Sequence, residues 1–230
     1  MHNEYNSEIR KHYLEEYFSE FIGSFFLVFF GCGAIILSKK SPTALPYEYI
    51  PIIFGLSISV MVTVLGKISG AHFNPAITLG FWAVKKFPSF KIPAYIFSQL
   101  SGACSAGLIH YFIWGSHEHL FGASVFHGQA SEAFIIETIG SFFLMFVYCA
   151  VSQESKAQDH RASIALGISL TLTTFLFLSL TGASLNPTRS IAPAIWSSYY
   201  EGIWIYVFAP VIGAVVAALS YERLSRYKKY

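Results

Sequence analysis

Charge is scarce in this sequence: only 12% of its 230 residues are Asp, Glu, Lys or Arg, against roughly 25% in an ordinary soluble domain. Aspartate is all but missing, Asp159 being the single one. A net charge of +2, spread over short basic clusters, excludes the broad basic face that a nucleic-acid partner needs. Cysteine is scarce too. Cys32, Cys104 and Cys149 each sit inside an apolar run without metal-type spacing, so neither a disulfide framework nor a zinc site is expected, and the three read as small buried side chains. The chain lacks a Ser, His and acid arrangement, a metal cluster and a phosphate-cradling glycine loop, so no catalytic residue, metal or cofactor is expected. Met1 to Glu16 is polar and is not followed by a small-residue cleavage pattern, which argues against a cleaved signal peptide.

What the chain has instead is apolar surface, 54% of residues with 17% aromatic, in stretches that make lipid the solvent. Six of them, about 17–38, 48–66, 92–114, 131–151, 162–181 and 202–221, approach the roughly 20 residues that a helix needs to cross the hydrocarbon core. Two shorter stretches, starting at Asn74 and Asn186, are too short to span. Such segments are tolerated at membrane depth only when buried in protein or lining water, so they read as re-entrant.

Basic residues set the orientation. With the N-terminus inside, Arg10, Lys11, Lys67, Lys85, Lys86, Lys91, Lys156, Arg161, Arg223, Arg226, Lys228 and Lys229 are cytoplasmic, against Lys39 and Lys40 outside. Both termini are therefore expected in the cytoplasm, across what reads as a bacterial inner (plasma) membrane.

The chain repeats itself. Ser19-Glu-Phe-Ile-Gly-Ser-Phe-Phe-Leu27 echoes Ile136-Glu-Thr-Ile-Gly-Ser-Phe-Phe-Leu144, and Gly70-Ala-His-Phe-Asn-Pro-Ala76 echoes Gly182-Ala-Ser-Leu-Asn-Pro-Thr188. A weaker echo pairs the run from Ser101 to Leu108 with that from Ile212 to Leu219. Each copy holds three spans, an odd number, so the second copy enters the membrane from the opposite side. The expected organisation is a cytoplasmic segment 1–16, a first repeat 17–114, an extracellular or periplasmic connection 115–130, an inverted second repeat 131–221 and a basic cytoplasmic tail 222–230. Inverted repeats with interrupted helices place their site at the bilayer midplane.

Asn is a good N-cap and Pro suits the first helical turn, so Asn74-Pro75 and Asn186-Pro187 each read as the start of a half-helix. Two N-termini then point their partial positive charges at the membrane centre, repelling cations while the amides offer donors to a passing oxygen. Asn-Pro is also a common turn dipeptide. Its recurrence at matched positions in two halves outweighs that reading.

Through Ser69-Gly-Ala-His-Phe-Asn-Pro-Ala76 and Asn186-Pro-Thr-Arg-Ser190, and across all six spans, the chain resembles the aquaporin, or major intrinsic protein, family. The resemblance implies an all-α membrane protein of six transmembrane helices and two re-entrant half-helices. It also implies a homotetramer with one pore per subunit, whose partners are water, small neutral solutes and the lipid bilayer. Pore motif residues would be Asn74, Pro75, Ala76, Asn186, Pro187 and Thr188. Thr188 departs from the usual Ala; since that position is expected to pack rather than touch the permeant, it would at most shift the half-helix slightly. Spacing from the motifs carries the family's outer constriction onto Phe54, Thr174, Ala183 and Arg189. A guanidinium in lipid is costly and marks a functional site, against the blander reading of a snorkelling or salt-bridged Arg. Thr174 stands where strict water channels usually have His, which implies a wider opening. Ser190, where glycerol channels usually have Asp, favours the water branch. Tyr206-Val207, where many water channels have Phe-Trp, resembles members that pass metalloid acids, and the branch stays open.

Carbonyls of Gly70, Ala71, His72 and Phe73, and of Gly182, Ala183, Ser184 and Leu185, are expected to line the rest of the pore. Glu20 and Glu137, at equivalent positions in the first and fourth spans, read as either a proton relay or supports for the pore loops; the second reading is preferred, because an unpaired carboxylate there is costly. His117, His119 and His127, in the connection, read as solvated loop residues rather than a metal or pH-sensing group. Small residues at 23, 33, 55, 102, 106, 140, 167 and 213 allow close helix crossings. Inverted repeats also build coupled transporters, and the fold can serve adhesion. The first needs an ion site exposed at the midplane, and the second is discriminated by a water rate.

Overall fold

A computed structural model describes residues 2–115, 119–153 and 160–226 of the chain. Among them are eight α-helices: α1 (His2–Lys40), α2 (Ile50–Ser69), α3 (Pro75–Ala83), α4 (Ile92–Trp114), α5 (Ala130–Gln153), α6 (His160–Thr181), α7 (Pro187–Ser197) and α8 (Ile203–Arg226). Stretches of α1, α2, α4, α5, α6 and α8 are long and apolar enough to cross a membrane. Helices α3 and α7 have 9 and 11 residues, about 14 and 17 Å at 1.5 Å per residue, roughly half the hydrocarbon thickness.

The first helix begins well before the expected span. Between His2 and Ile22 there is neither Pro nor Gly, so nothing breaks the helix where its residues turn polar, and the segment 1–16 is helical from His2 on. Its last turn is anchored, Glu16 being buried and accepting from Lys91 Nζ at 2.7 and 2.8 Å. At the other end of the chain α8 runs to Arg226, into the segment expected to be a tail. Lys156, Lys228, Lys229, Asp159 and His117 lie outside the described residues.

The repeat is visible in the packing. Helix α1 packs on α4 as α5 packs on α8, and α2 crosses α6 at the seam between the halves. Glycines set the closest approaches: a Cβ on Gly102 would stand 2.1 Å from the Phe21 carbonyl oxygen, and one on Gly213 2.2 Å from that of Thr138. The half-helices are exchanged, α3 lying mostly against α8 of the second repeat and α7 against α4 of the first. Large apolar side chains face outward along α2 (Leu56, Val60, Val64) and α6 (Ile164, Ile168, Leu172, Phe175). In water such stripes would be an aggregation hazard; on a spanning helix they are the lipid face. Cys32 and Cys149 are buried and Cys104 half-buried, all three unpaired.

Candidate functional site: a polar seam between two half-helices

Asn74 and Asn186 each do two jobs. Asn74 Oδ1 accepts from Ala76 N at 2.8 Å and Asn186 Oδ1 from Thr188 N at 3.0 Å, capping α3 and α7. Asn74 Nδ2 donates to the Leu185 carbonyl at 2.8 Å, and Asn186 Nδ2 to the Phe73 carbonyl at 2.9 Å. Each cap thus holds the loop that precedes the opposite half-helix. An amide nitrogen has two protons, and one on each Asn is left over. Thr188 does more than pack. Its hydroxyl donates to Asn186 Oδ1 at 2.8 Å, a bond that Ala76 has no atom to make, so the second cap is held twice.

The two loops have matching backbones. Gly70, Ala71 and Phe73 have φ of 82°, 52° and 49°, and Gly182, Ala183 and Leu185 have 79°, 43° and 55°. Four of these six are not glycine, a strain on the order of 1–3 kcal/mol each that surrounding structure must hold. Two buried carboxylates supply the hold. Glu20 accepts from His72 N (2.9 Å), Phe73 N (2.7 Å), Ser69 Oγ (2.7 Å) and Gln99 Nε2 (2.7 Å). Glu137 accepts from Ser184 N (2.9 Å), Leu185 N (2.7 Å) and Thr181 Oγ1 (2.6 Å). Tyr95 and Tyr206 complete the pattern, donating to the carbonyls of Ser69 and Thr181, both at 2.8 Å. Gly23 and Gly140 make room for the residue before each Asn, Phe73 and Leu185 occupying the space a Cβ would take.

Arg189 is 1% exposed, and no described carboxylate pairs with it. Nη1 donates to the Gly122 carbonyl at 2.8 Å and Nη2 to that of Gly182 at 3.2 Å, while Cζ lies 5.2 Å from the Phe54 ring centre. Its Nε makes no hydrogen bond within the protein. Sequence reasoning treated 115–130 as a plain connection and missed Gly122. The carbonyl there depends on a tight turn, Leu120, Phe121 and Gly122 all having positive φ, with Gly122 pressed on Cys32. Ser124 in the same segment is bonded to Ser190 at 2.6 Å, and Ser190 to Ser184, which ties the connection to α7.

A cavity of about 20 Å³ runs along this seam, lined by Phe54, Ile58, His72, Asn74, Leu144, Tyr148, Leu170, Asn186 and Arg189 among others. Its volume is little more than the roughly 10–15 Å³ that one water needs. Among the residues expected at the outer constriction, the structure brings Phe54 and Arg189 together and sets Ala183 beside Gly182. Thr174 is fully buried with its hydroxyl unpartnered, and does not line this cavity; Leu170, one turn earlier on α6, does. Of the expected carbonyls, those of Ala71, Phe73, Gly182 and Leu185 accept protein donors, leaving each one lone pair. Those of Gly70, His72, Ala183 and Ser184 accept no side-chain donor among the described residues. The His72 ring nitrogen Nδ1 lies 3.0 Å from Thr78 Oγ1, and the ring stacks on Phe81. His119 and His127 stand in the connection, and no group of three or more metal-ligating side chains occurs among the described residues.

A family model described as Major intrinsic protein matches residues 8–221. The chain belongs to the major intrinsic protein family. Nodulin-26 of Glycine max is 40% identical over 211 residues, 91% of this chain and 78% of that protein. Aquaporin NIP1-1 of Zea mays is 38% identical, covering 91% and 74%. Among solved structures, the aquaglyceroporin from Plasmodium falciparum superposes with a TM-score of 0.82 at 26% identity, over 91% of this chain and 95% of that one. As a family member with six spans, the chain is an integral multi-pass membrane protein. Both sequence relatives are plant proteins, which lends no support to the expected bacterial inner membrane.

Proposed function

We propose that the chain is a passive channel that conducts water and small uncharged solutes while excluding protons and ions. The observation that carries this reading is the meeting of Asn74 and Asn186, each capping its own half-helix and bonded to the opposite loop. Their spare N–H groups face one narrow cavity from two sides. A water oxygen that accepts from both amides has its own protons turned outward, toward the two mouths, so it has no lone pair free to take a proton from its neighbour in the file. The two helix N-termini add partial positive charge at the same point, and Arg189, which no described carboxylate pairs with, adds a whole one.

In this reading Asn74, Pro75, Ala76, Asn186, Pro187 and Thr188 form the central site, with Phe54, Thr174, Ala183 and Arg189 as the outer constriction. Glu20 and Glu137 hold the loops; saturated by protein donors, they are poorly placed to carry protons or a coupling ion, which speaks against a coupled transporter. Four copies assemble with both termini cytoplasmic. The likeness to an aquaglyceroporin favours solute conduction of glycerol, urea or neutral metalloid acids.

Stopped-flow light scattering on proteoliposomes tests both. Vesicles carrying the protein are expected to shrink faster than empty ones in an impermeant osmolyte and to re-swell in at least one of glycerol, urea and a neutral metalloid acid. Shrinkage no faster than in empty vesicles would end the channel reading; fast shrinkage without re-swelling would restrict it to water.

A further inference from the structure

The inverted repeat predicts a like residue at each end of the pore, and at one position it is broken. Glu20 pairs with Glu137 and Leu27 with Leu144, both leucines lining the cavity. One turn further the pairing sets Gly31 against Tyr148. Gly31 is where Phe54 enters, since a Cβ there would lie 2.1 Å from the Phe54 ring. Tyr148 instead brings its own ring. It is 2% exposed, lines the same cavity, packs edge-on against Phe81 and donates its hydroxyl to the Ala71 carbonyl at 3.1 Å.

The two rings sit at opposite ends. Tyr148 lies eleven residues along α5 from Glu137, which holds the loop before α7, a rise of about 16 Å. It therefore reaches the loop before α3, at the end away from Arg189. One ring is supplied by α2 beside Arg189 and the other by α5 beside Ala71. The first meets a cation; the second meets Phe81, on which the His72 imidazole stacks, and the Ala71 carbonyl.

We propose that Tyr148 is a second specificity-determining residue, which narrows the pore at its inner end and takes up one of the two lone pairs of the Ala71 carbonyl. The inference rests on the channel reading of the same cavity. A solute that clears Phe54 and Arg189 must still pass the Tyr148 ring, and finds there one acceptor lone pair fewer than the loop backbone would otherwise offer. Size selection is thus divided between two rings, and widening only the outer one leaves the inner limit in place.

The test compares Tyr148→Ala, Tyr148→Leu and Tyr148→Phe with the unaltered chain in proteoliposomes, reading the ratios of glycerol and erythritol permeability to water permeability. Removing the ring in Tyr148→Ala is expected to raise the erythritol-to-water ratio at least threefold over Tyr148→Phe, which keeps the ring and loses only the hydroxyl. Tyr148→Leu, a smaller but space-filling change, is expected to move the ratio in the same direction and serves if Tyr148→Ala fails to assemble. Equal ratios in Phe, Leu and unaltered protein, with water flux intact, would overturn the proposal while leaving the channel reading in place. Absence of water flux in the unaltered protein would overturn both.

Discussion

Among the described residues Arg189 is held by two backbone carbonyls and the Phe54 ring rather than by a carboxylate, so its charge acts on whatever enters the pore. Two unit charges 4 Å apart interact by about 4 kcal/mol at the effective dielectric of a protein near water. Replacing Arg189 with Val is expected to leave water flow within about twofold and to raise cation or proton leak at least tenfold, which needs only about 1.4 kcal/mol of that barrier. Leak is read from a pH-sensitive dye in the vesicle lumen, and an unchanged leak would remove Arg189 from the filter. At Thr174 the direction is opposite. Thr174→His puts a ring where a hydroxyl now stands, and glycerol or urea flux is expected to fall several-fold with water spared; undiminished solute flux would place Thr174 away from the constriction.

Among the elements, the pore loops combine a strained backbone with buried hydrogen bonds to two carboxylates. Four non-glycine residues with positive φ persist because Glu20 and Glu137 take up the N–H groups that such a backbone cannot pair with itself. Glu137→Ala strands the amides of Ser184 and Leu185, and at roughly 1–3 kcal/mol for each orphaned donor a loss of about 2–6 kcal/mol is expected. Thermal unfolding in detergent reads it as a lowered midpoint; a midpoint equal to that of the unaltered protein would mean that the loop is held by something else. Glu137→Gln should recover part of the loss, since one oxygen still accepts. Thr188→Ala asks less. It removes one hydroxyl bond to Asn186, on the order of 1 kcal/mol, and leaves the backbone cap in place.

Over the whole molecule, we propose from the six spans and the distribution of Lys and Arg that both termini lie on the cytoplasmic side. Reporters active only in the cytoplasm are expected to work when fused to either terminus, and an active reporter of the outer side at either end would reverse the assignment. The exchange of half-helices between repeats also means that neither half encloses the cavity alone: α3 needs α8, and α7 needs α4. Each half expressed by itself is expected to give no water flux, with flux returning when both are expressed together; flux from one half would contradict the shared seam.

Much of this was legible along the chain. Six spans, two half-helices, the inversion and the pairs Asn74 with Asn186 and Glu20 with Glu137 follow from apolar length, from Asn-Pro capping chemistry and from a repeat visible by eye. Those are local or periodic properties, and lipid enforces them strictly because it offers the backbone no other partner. The Gly122 carbonyl that fixes Arg189, the engagement of Ala71 by Tyr148, the hydroxyl bond from Thr188 to Asn186 and the exchange of half-helices were decided only in three dimensions. Each joins a backbone oxygen or an irregular turn to a side chain through loop geometry or helix placement, and a carbonyl has no letter of its own in a sequence; which one it meets is settled when the helices pack.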